Sequence, residues 1–269
     1  MSSPAVVCLA MLLWSVPASA QYAAAAASPA VGEEYHIEAA LAWWNPGPTL
    51  IVSSESLGIP GDDVDLVTDL GIQQKRLREL RLVLRPAAKH KFRINYLPIK
   101  YSAEASVQRE FVFNGLRYRI GLPVNTEADL TTWRFGYEYD FIHRSRGYLG
   151  VLLDLKYTNI DVALDSPIGS EFTSQVAPIP TIGIVGRGYI VPEVSITGEV
   201  SFFKVPENLG EQLNGEGRYL DYDFYATYNF TRNAGAQFGR RSIDVQYRKD
   251  LDSGTLNFTG WYFGGVIRY

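Results

Sequence analysis

The chain has 269 residues, a formal net charge of −4 and 13% aromatic residues. Its charge gives no polybasic footprint, which argues against a nucleic-acid partner. Beyond the N-terminal region, no segment approaches the 18 or so consecutive apolar residues that a membrane-spanning helix requires.

The N-terminal region predicts an export signal. Residues Ala5 to Trp14 form an apolar run, and Ala18-Ser19-Ala20 follows as a small-residue cleavage site. We therefore predict a signal peptide over residues 1–20 and an Ala-rich flexible segment over residues 21–32. The single cysteine, Cys8, lies inside the signal peptide, so the mature chain is predicted to have no disulfide.

Apolar and polar residues alternate with a period of two along the rest of the chain, which is typical of β-strands with two different faces. The pattern predicts ten strands, within residues 35–43, 79–85, 91–96, 133–141, 151–157, 182–190, 194–202, 220–230, 243–248 and 255–269. A bulge is expected near Arg240, before the ninth. We predict an all-β, antiparallel, transmembrane up-and-down β-barrel over residues 33–269, with eight or twelve strands as alternatives.

The connections between the predicted strands are of two kinds. Residues 86–89, 143–147, 191–193 and 231–234 form tight turns, whereas residues 45–73, 164–176 and 206–217 are long. Short turns at one end and long loops at the other are typical of membrane barrels, whose long loops face outward. The first long loop contains Asp62, Asp63, Asp65 and Asp69; we interpret it as a short capped helix rather than a calcium site.

Another connection contains Asn114-Gly115, a dipeptide that favours a type I′ turn. The flanking strands exceed the roughly 9–11 residues that cross a bilayer. We predict a hairpin over residues 107–120 that protrudes from the membrane, because Arg109 and Arg117 suit water better than lipid. If the hairpin crosses the membrane instead, the barrel has twelve strands.

The C-terminal strand alternates Trp261, Phe263, Gly265, Ile267 and Tyr269 with smaller or charged residues. This ending resembles the last strand of Gram-negative outer-membrane barrels. The resemblance implies an outer-membrane location and an assembly signal, formed by Phe263, Ile267 and Tyr269, that the barrel-assembly machinery reads. The aromatics that include Trp43 and Trp133 fit girdles at the membrane interfaces.

Three segments also resemble a largely uncharacterised family of small, about ten-stranded outer-membrane barrels. They are Asp63–Gly71, Arg85–Tyr96 and Trp261–Tyr269. These motifs are structural, so the resemblance concerns the fold and implies little about function.

The polar faces of the strands contain acidic and basic residues in balance, which predicts ion pairs across the lumen rather than a filter of one sign. The predicted lumen-lining residues are Glu38, Glu79, Arg81, Arg93, Arg134, Glu138, Asp154, Lys156, Arg187, Glu199, Asp221, Asp223, Asp244 and Arg268. Such a set could form a stabilising plug or a narrow hydrated path.

The leading prediction is an integral outer-membrane protein, structural or a narrow pore for passive diffusion of small solutes. The alternative is a surface-recognition or adhesion barrel that acts through its external loops. Expected partners are the lipid bilayer, outer-leaflet lipopolysaccharide and the assembly machinery, without cofactor, metal or nucleic acid. An enzyme is not predicted, because His36, His90 and His143 all fall at the periplasmic end, away from the external loops.

Overall fold

The computed structural model describes residues 30–55, 59–206, 215–249 and 252–269. The predicted signal peptide and nearly all of the Ala-rich segment lie outside these ranges. Within them, no helix is long and apolar enough to span a membrane.

The described residues form strands throughout the chain. In order they are β1 Ile37–Ser54, β2 Val64–Asp65, β3 Leu77–Ala87, β4 His90–Ser106, β5 Phe111–Phe113, β6 Leu116–Tyr118, β7 Pro123–Arg144, β8 Gly147–Ser166, β9 Gly169–Val191, β10 Val194–Lys204, β11 Gly215–Asn229, β12 Ala234–Lys249 and β13 Asp252–Arg268. All except β2, β5 and β6 belong to the barrel wall.

The wall is a closed antiparallel sheet in the order β1-β3-β4-β7-β8-β9-β10-β11-β12-β13, and β13 pairs back with β1. The closing pair runs from Glu38 opposite Arg268 to Ser54 opposite Asp252. Because closure leaves no exposed sheet edge, every wall strand is hydrogen-bonded on both sides. The predicted ten-stranded barrel is confirmed.

The outward face of the wall changes from apolar to polar along each long strand. On β7, Trp133 and Phe135 face outward with 42% and 50% of their surface exposed, whereas Leu130 faces inward and is 5% exposed. Beyond Trp133, the outward positions are Thr131 and Asp129. An apolar outer face suits lipid and a polar one suits water, so Trp133 marks a membrane boundary.

Aromatic residues mark the same boundary around much of the barrel. We call Trp43, Tyr96, Trp133, Tyr157 and Trp261 the outer girdle. Trp133 is paired with Tyr96 and with Tyr157 on its two neighbouring strands. The segment of β7 from Trp133 to Phe141 is nine residues long, which matches the roughly 9–11 residues that cross a bilayer.

Strand β7 has 22 residues, so about ten of them extend outward beyond the outer girdle. Strands β8 and β9, with 20 and 23 residues, extend similarly. The end beyond the outer girdle is called the external end here, and the end that holds both described termini the periplasmic end.

The predicted long loop over residues 164–176 is wrong, because β8 continues to Ser166 and β9 begins at Gly169. Only Pro167 and Ile168 form the turn between them. Strand β1 likewise continues to Ser54, well into the predicted loop 45–73. Pairing between long neighbouring strands keeps the backbone extended through both segments.

The acidic segment of the first external connection is not the predicted helix. Val64 and Asp65 form β2, which pairs with β1 opposite Val52 and Ile51, and residues 66–70 form a turn. Leu66 and Leu70 are buried, so apolar contacts with the barrel mouth determine the path of this segment.

The hairpin has the expected turn, since Asn114 and Gly115 have φ values of 48° and 83°. It does not stand free of the barrel, however. Phe111, Phe113 and Tyr118 are at most 1% exposed and belong to the same apolar cluster as the inner wall. The hairpin therefore folds over the external mouth as a cap.

Candidate functional site

The interior of the periplasmic half is filled by charged side chains. All but one of the predicted lumen residues face inward, namely Glu38, Glu79, Arg81, Arg93, Arg134, Glu138, Asp154, Lys156, Arg187, Glu199, Asp221, Asp223 and Arg268; each is buried except Arg81, whose side chain is 9% exposed. Alternation along regular strands places them there, because every second residue points into the lumen.

At the centre of this network, Glu199 accepts contacts from two arginines on other strands. Its Oε2 lies 2.6 Å from Arg93 Nη2, and its Oε1 lies 2.5 Å from Arg134 Nη1. Arg134 Nη2 is also 2.8 Å from Asp154 Oδ2. Glu199 and Arg134 thus each have two partners of opposite charge, which stabilise them in the buried interior.

A second group of ion pairs joins β3, β8, β11 and β12. Arg241 Nη1 lies 2.6 Å from Glu79 Oε1, and Arg241 Nη2 lies 2.8 Å from Asp221 Oδ2. Asp221 also contacts Lys156 Nζ at 3.1 Å. On its other side, Glu79 Oε2 lies 2.8 Å from Arg81 Nη2.

Arg241 was missed by the sequence analysis, and Asp244 was wrongly placed in the lumen. On β12 the inward residues include Arg241, Ile243 and Val245, all at most 6% exposed. Asp244 faces outward and accepts a hydrogen bond from Asn257 Nδ2 at 3.2 Å. The predicted bulge near Arg240 is absent from the described pairing of β12 with β11 and β13. The error came from assigning every apolar face to lipid, although beyond the outer girdle apolar residues face the interior.

The N-terminal segment closes the periplasmic mouth. Glu33 is 5% exposed, and its carboxylate lies 3.7 Å from Arg85 Nη1 and 3.5 Å from Arg187 Nη1. Tyr189 donates a hydrogen bond to Glu33 Oε2 at 3.1 Å, and Val31 N donates to Pro192 O at 2.7 Å. Glu33 precedes β1 and lies outside its alternation, so no strand pattern indicated it.

The interior of the external half is apolar. Inward residues of six wall strands form one cluster with the cap: Leu50, Val52, Leu97, Ile99, Tyr101, Val124, Leu130, Ile160, Val162, Leu164, Ile243, Val245, Leu256 and Phe258. Three cavities inside the barrel have volumes of about 10, 20 and 20 Å³. Each has room for about one water molecule.

Polar contacts fix the cap to the first external connection. Arg109 Nη2 lies 2.8 Å from Asp69 Oδ2, and Val112 N donates to Asp62 Oδ2 at 2.7 Å. The hydrogen bond to Asp69 raises the pKa of Arg109, and burial raises the pKa of Tyr118 to about 12. The acidic residues of this connection therefore hold the hairpin, and the described ranges contain no group of three or more His, Cys, Asp or Glu placed to bind a metal.

The residues of the predicted assembly signal all face outward. Phe263, Ile267 and Tyr269 are 50%, 66% and 84% exposed. Phe263 stacks on Trp43 with ring centroids 5.5 Å apart, and Tyr269 N donates to Ile37 O at 2.8 Å. They thus line the seam at which β13 meets β1.

The three histidines lie near the periplasmic end. His90 Nδ1 is 2.6 Å from the Tyr137 hydroxyl, and His143 Nε2 is 3.3 Å from Arg85 Nη2. His36 precedes β1, and its Nδ1 lies 3.4 Å from Arg85 O.

No protein-family model matches the chain, and no curated protein matches it. Among solved structures, it is similar to the outer membrane protease OmpT from Escherichia coli, with a TM-score of 0.56 and 8% identity over 87% of this chain and 96% of that chain. Further matches are Ail of Yersinia pestis, with a TM-score of 0.38 and 11% identity over 85% and 99% of the two chains, and a Pseudomonas aeruginosa FadL homologue, with a TM-score of 0.40 and 7% identity over 87% and 90%.

At these identities the likeness concerns the fold alone. The chain has the fold of an outer-membrane β-barrel. Membership of the particular small-barrel family that its motifs resemble stays a prediction.

Proposed function

We propose that this chain is an integral outer-membrane protein with a closed interior, which presents its external wall as a recognition surface instead of conducting solutes. The filled lumen carries the proposal. Charged side chains pack the periplasmic half, apolar side chains pack the external half, and the hairpin covers the mouth.

An ion would meet two barriers in such a barrel. In the periplasmic half it would have to separate pairs such as Arg93–Glu199, whose charged atoms are 2.6 Å apart. In the external half it would lose its hydration among Ile99, Leu130 and Phe258 with no charge to compensate, which costs several kcal/mol or more. These two barriers favour the surface-recognition alternative over the narrow pore.

The external wall offers a rigid surface to a partner. On β4, β7 and β8 its outward positions include Glu104, Glu127 and Asp165, which are exposed. Asn125 stands between Glu104 and Asp165 in one row across the three strands. Side chains on paired strands are held more firmly than side chains on loops, and their charge favours a basic partner.

We further propose that the protein has no catalytic role and needs no cofactor. The position of the histidines at the periplasmic end supports this, since a base there cannot serve a site on the external wall. The lipid bilayer, outer-leaflet lipopolysaccharide and the assembly machinery remain its proposed partners.

Single-channel recording tests the closed interior. Refolded protein, shown to be folded by its heat-modifiable migration, would be inserted into a planar bilayer. Silence from demonstrably inserted protein is expected. Discrete conductance steps would overturn the closed barrel and restore the narrow pore.

Binding of a labelled oligolysine peptide to nanodisc-embedded protein tests the recognition surface. The variant Glu127→Gln/Asp165→Asn should bind the peptide several-fold more weakly. The matched control, Glu216→Gln/Asp63→Asn, removes the same charges from exposed sites elsewhere at the external end. If both variants lose the same affinity for the peptide, net charge alone explains the binding, and the proposed recognition surface is contradicted.

A further inference from the structure

The membrane-facing wall contains a groove with a volume of about 560 Å³. It crosses β13, β1, β3, β4 and β7 just inside the outer girdle. Its lining includes Ala39, Leu41, Leu80, Tyr96, Trp133 and Gly265.

Small residues form the floor of this groove and large ones its rims. Gly265 pairs with Leu41 on β1, and a Cβ added to Gly265 would meet no atom within 4 Å. Around it, Ile267, Leu80 and Trp133 are 66%, 52% and 42% exposed. The groove is thus an apolar depression bordered by large side chains of the wall.

Two arginines stand at the external end of the groove. Arg78 on β3 pairs with Trp43 on β1. It lies two residues further toward the external end than Leu80, which pairs with Tyr96 of the outer girdle; Tyr96 in turn pairs with Trp133. Arg76 places its guanidinium 5.8 Å from the ring centroid of Phe263.

Both arginines are exposed, and neither is among the ion pairs within 4.0 Å that the described residues form. The outer girdle marks the interface between membrane and water, and both arginines lie beside it, at the depth of the lipid headgroups. The apolar groove therefore ends at two exposed cations that form no ion pair with the described residues.

We propose that this groove and the two arginines bind a phosphorylated lipid of the outer leaflet, with an acyl chain along the groove and a phosphate on Arg76 and Arg78. Guanidinium groups bind phosphate oxygens in bidentate geometry, and a flexible acyl chain fits an apolar depression at the depth where lipid contacts the wall. The inference rests on the proposed membrane location, but not on the closed interior or the recognition surface.

Lipid retention by the detergent-solubilised full chain, measured by native mass spectrometry, tests the phosphate contact. The probes are diphosphorylated lipid A, the same lipid after dephosphorylation, and phosphatidylcholine. Each basic residue near an anionic headgroup contributes about 1 kcal/mol, so Arg76→Gln/Arg78→Gln should bind diphosphorylated lipid A about thirty-fold more weakly. The control Arg218→Gln/Arg248→Gln, which neutralises two exposed arginines of β11 and β12, should bind like wild type.

Filling the groove tests the acyl-chain contact. Gly265→Leu should weaken retention at least several-fold, whereas Gly188→Leu should not, although Gly188 also faces outward and has no atom within 4 Å of an added Cβ. Unchanged binding by Arg76→Gln/Arg78→Gln, equal binding of the dephosphorylated lipid, or equal effects of the two leucine variants would each overturn the proposal. A conducting barrel would overturn the closed interior and leave this lipid site standing.

Discussion

Arg241 Nη1 lies 2.6 Å from Glu79 Oε1, although the residues are 162 positions apart and stand on β12 and β3, with β13 and β1 between them. The contact reaches across the seam at which the last strand meets the first. Side chains in the lumen thus reinforce the closure that backbone pairing between β13 and β1 provides at that seam.

Replacing Arg241 by Ala should destabilise the barrel by about 3 kcal/mol, because Glu79 and Asp221 would each lose a buried partner. The fraction of folded, heat-modifiable protein across a urea series measures this loss. Lys100→Ala is the control: its partner is Asp129, its side chain is 62% exposed, and the expected change is at most about 1 kcal/mol. Equal effects of the two variants would show that the lumen network is not a stabilising element.

The orientation of β12 can be tested with cysteines, since the only natural one, Cys8, lies in the predicted signal peptide. Asp244→Cys should react readily with a membrane-impermeant maleimide on intact cells, because residue 244 faces water. Ile243→Cys, at a position that is 3% exposed, should stay protected until the protein is denatured. Preferential labelling at residue 243 would restore the orientation expected from sequence.

The packed cap predicts resistance to trypsin at Arg109 and Arg117 in the folded protein. Phe113→Ala removes a fully buried ring, which costs about 3–5 kcal/mol in a well-packed core, so cleavage at these arginines should accelerate by an order of magnitude or more. Phe172→Ala, at a ring that is 71% exposed, should leave the cleavage rate unchanged. Rapid cleavage of the wild-type hairpin would indicate that it is not packed against the barrel mouth.

Glu33→Ala should release the N-terminal segment from the periplasmic mouth, since Arg85 and Arg187 lose a shared carboxylate. Hydrogen–deuterium exchange at residues 30–36 should speed up by at least tenfold, because the amide of Val31 depends on its bond to Pro192 O. Glu193→Ala, in the exposed turn beside it, should change little. If both variants exchange at the wild-type rate, the ion pairs do not hold the segment.

The number of strands and the inward-facing charges could be predicted from the sequence. Within the membrane, apolar residues face the lipid and charged residues face the lumen, so the two types alternate along each strand. Strand β7 shows this alternation: Trp133, Phe135 and Phe141 face outward, and Arg134 and Glu138 face inward. The orientation of residues in the external half was harder to predict. There the outer face contacts water and the interior is a packed apolar core, so polar residues face outward and apolar residues face inward. The reversal is visible in the chain: on β13 the apolar residues shift from even positions, as at Phe258, to odd ones, as at Trp261.

The cap and the N-terminal closure could not be predicted in the same way. Asn114-Gly115 predicted a short hairpin, but Phe111, Phe113 and Tyr118 join an apolar cluster with residues of the barrel wall, and this packing places the hairpin over the mouth. Glu33 is a single carboxylate in an irregular segment, and its two partners, Arg85 and Arg187, come from distant strands. Such long-range contacts have no local pattern.

The length of β7 determines how far the protein reaches from the cell. About ten residues beyond Trp133, at about 3.4 Å each and tilted by roughly 40°, raise the wall some 25 Å above the membrane. The cap and the top row of Glu104, Asn125 and Asp165 thus stand well clear of the lipid headgroups. Large molecules that cannot approach the bilayer would therefore still reach this surface.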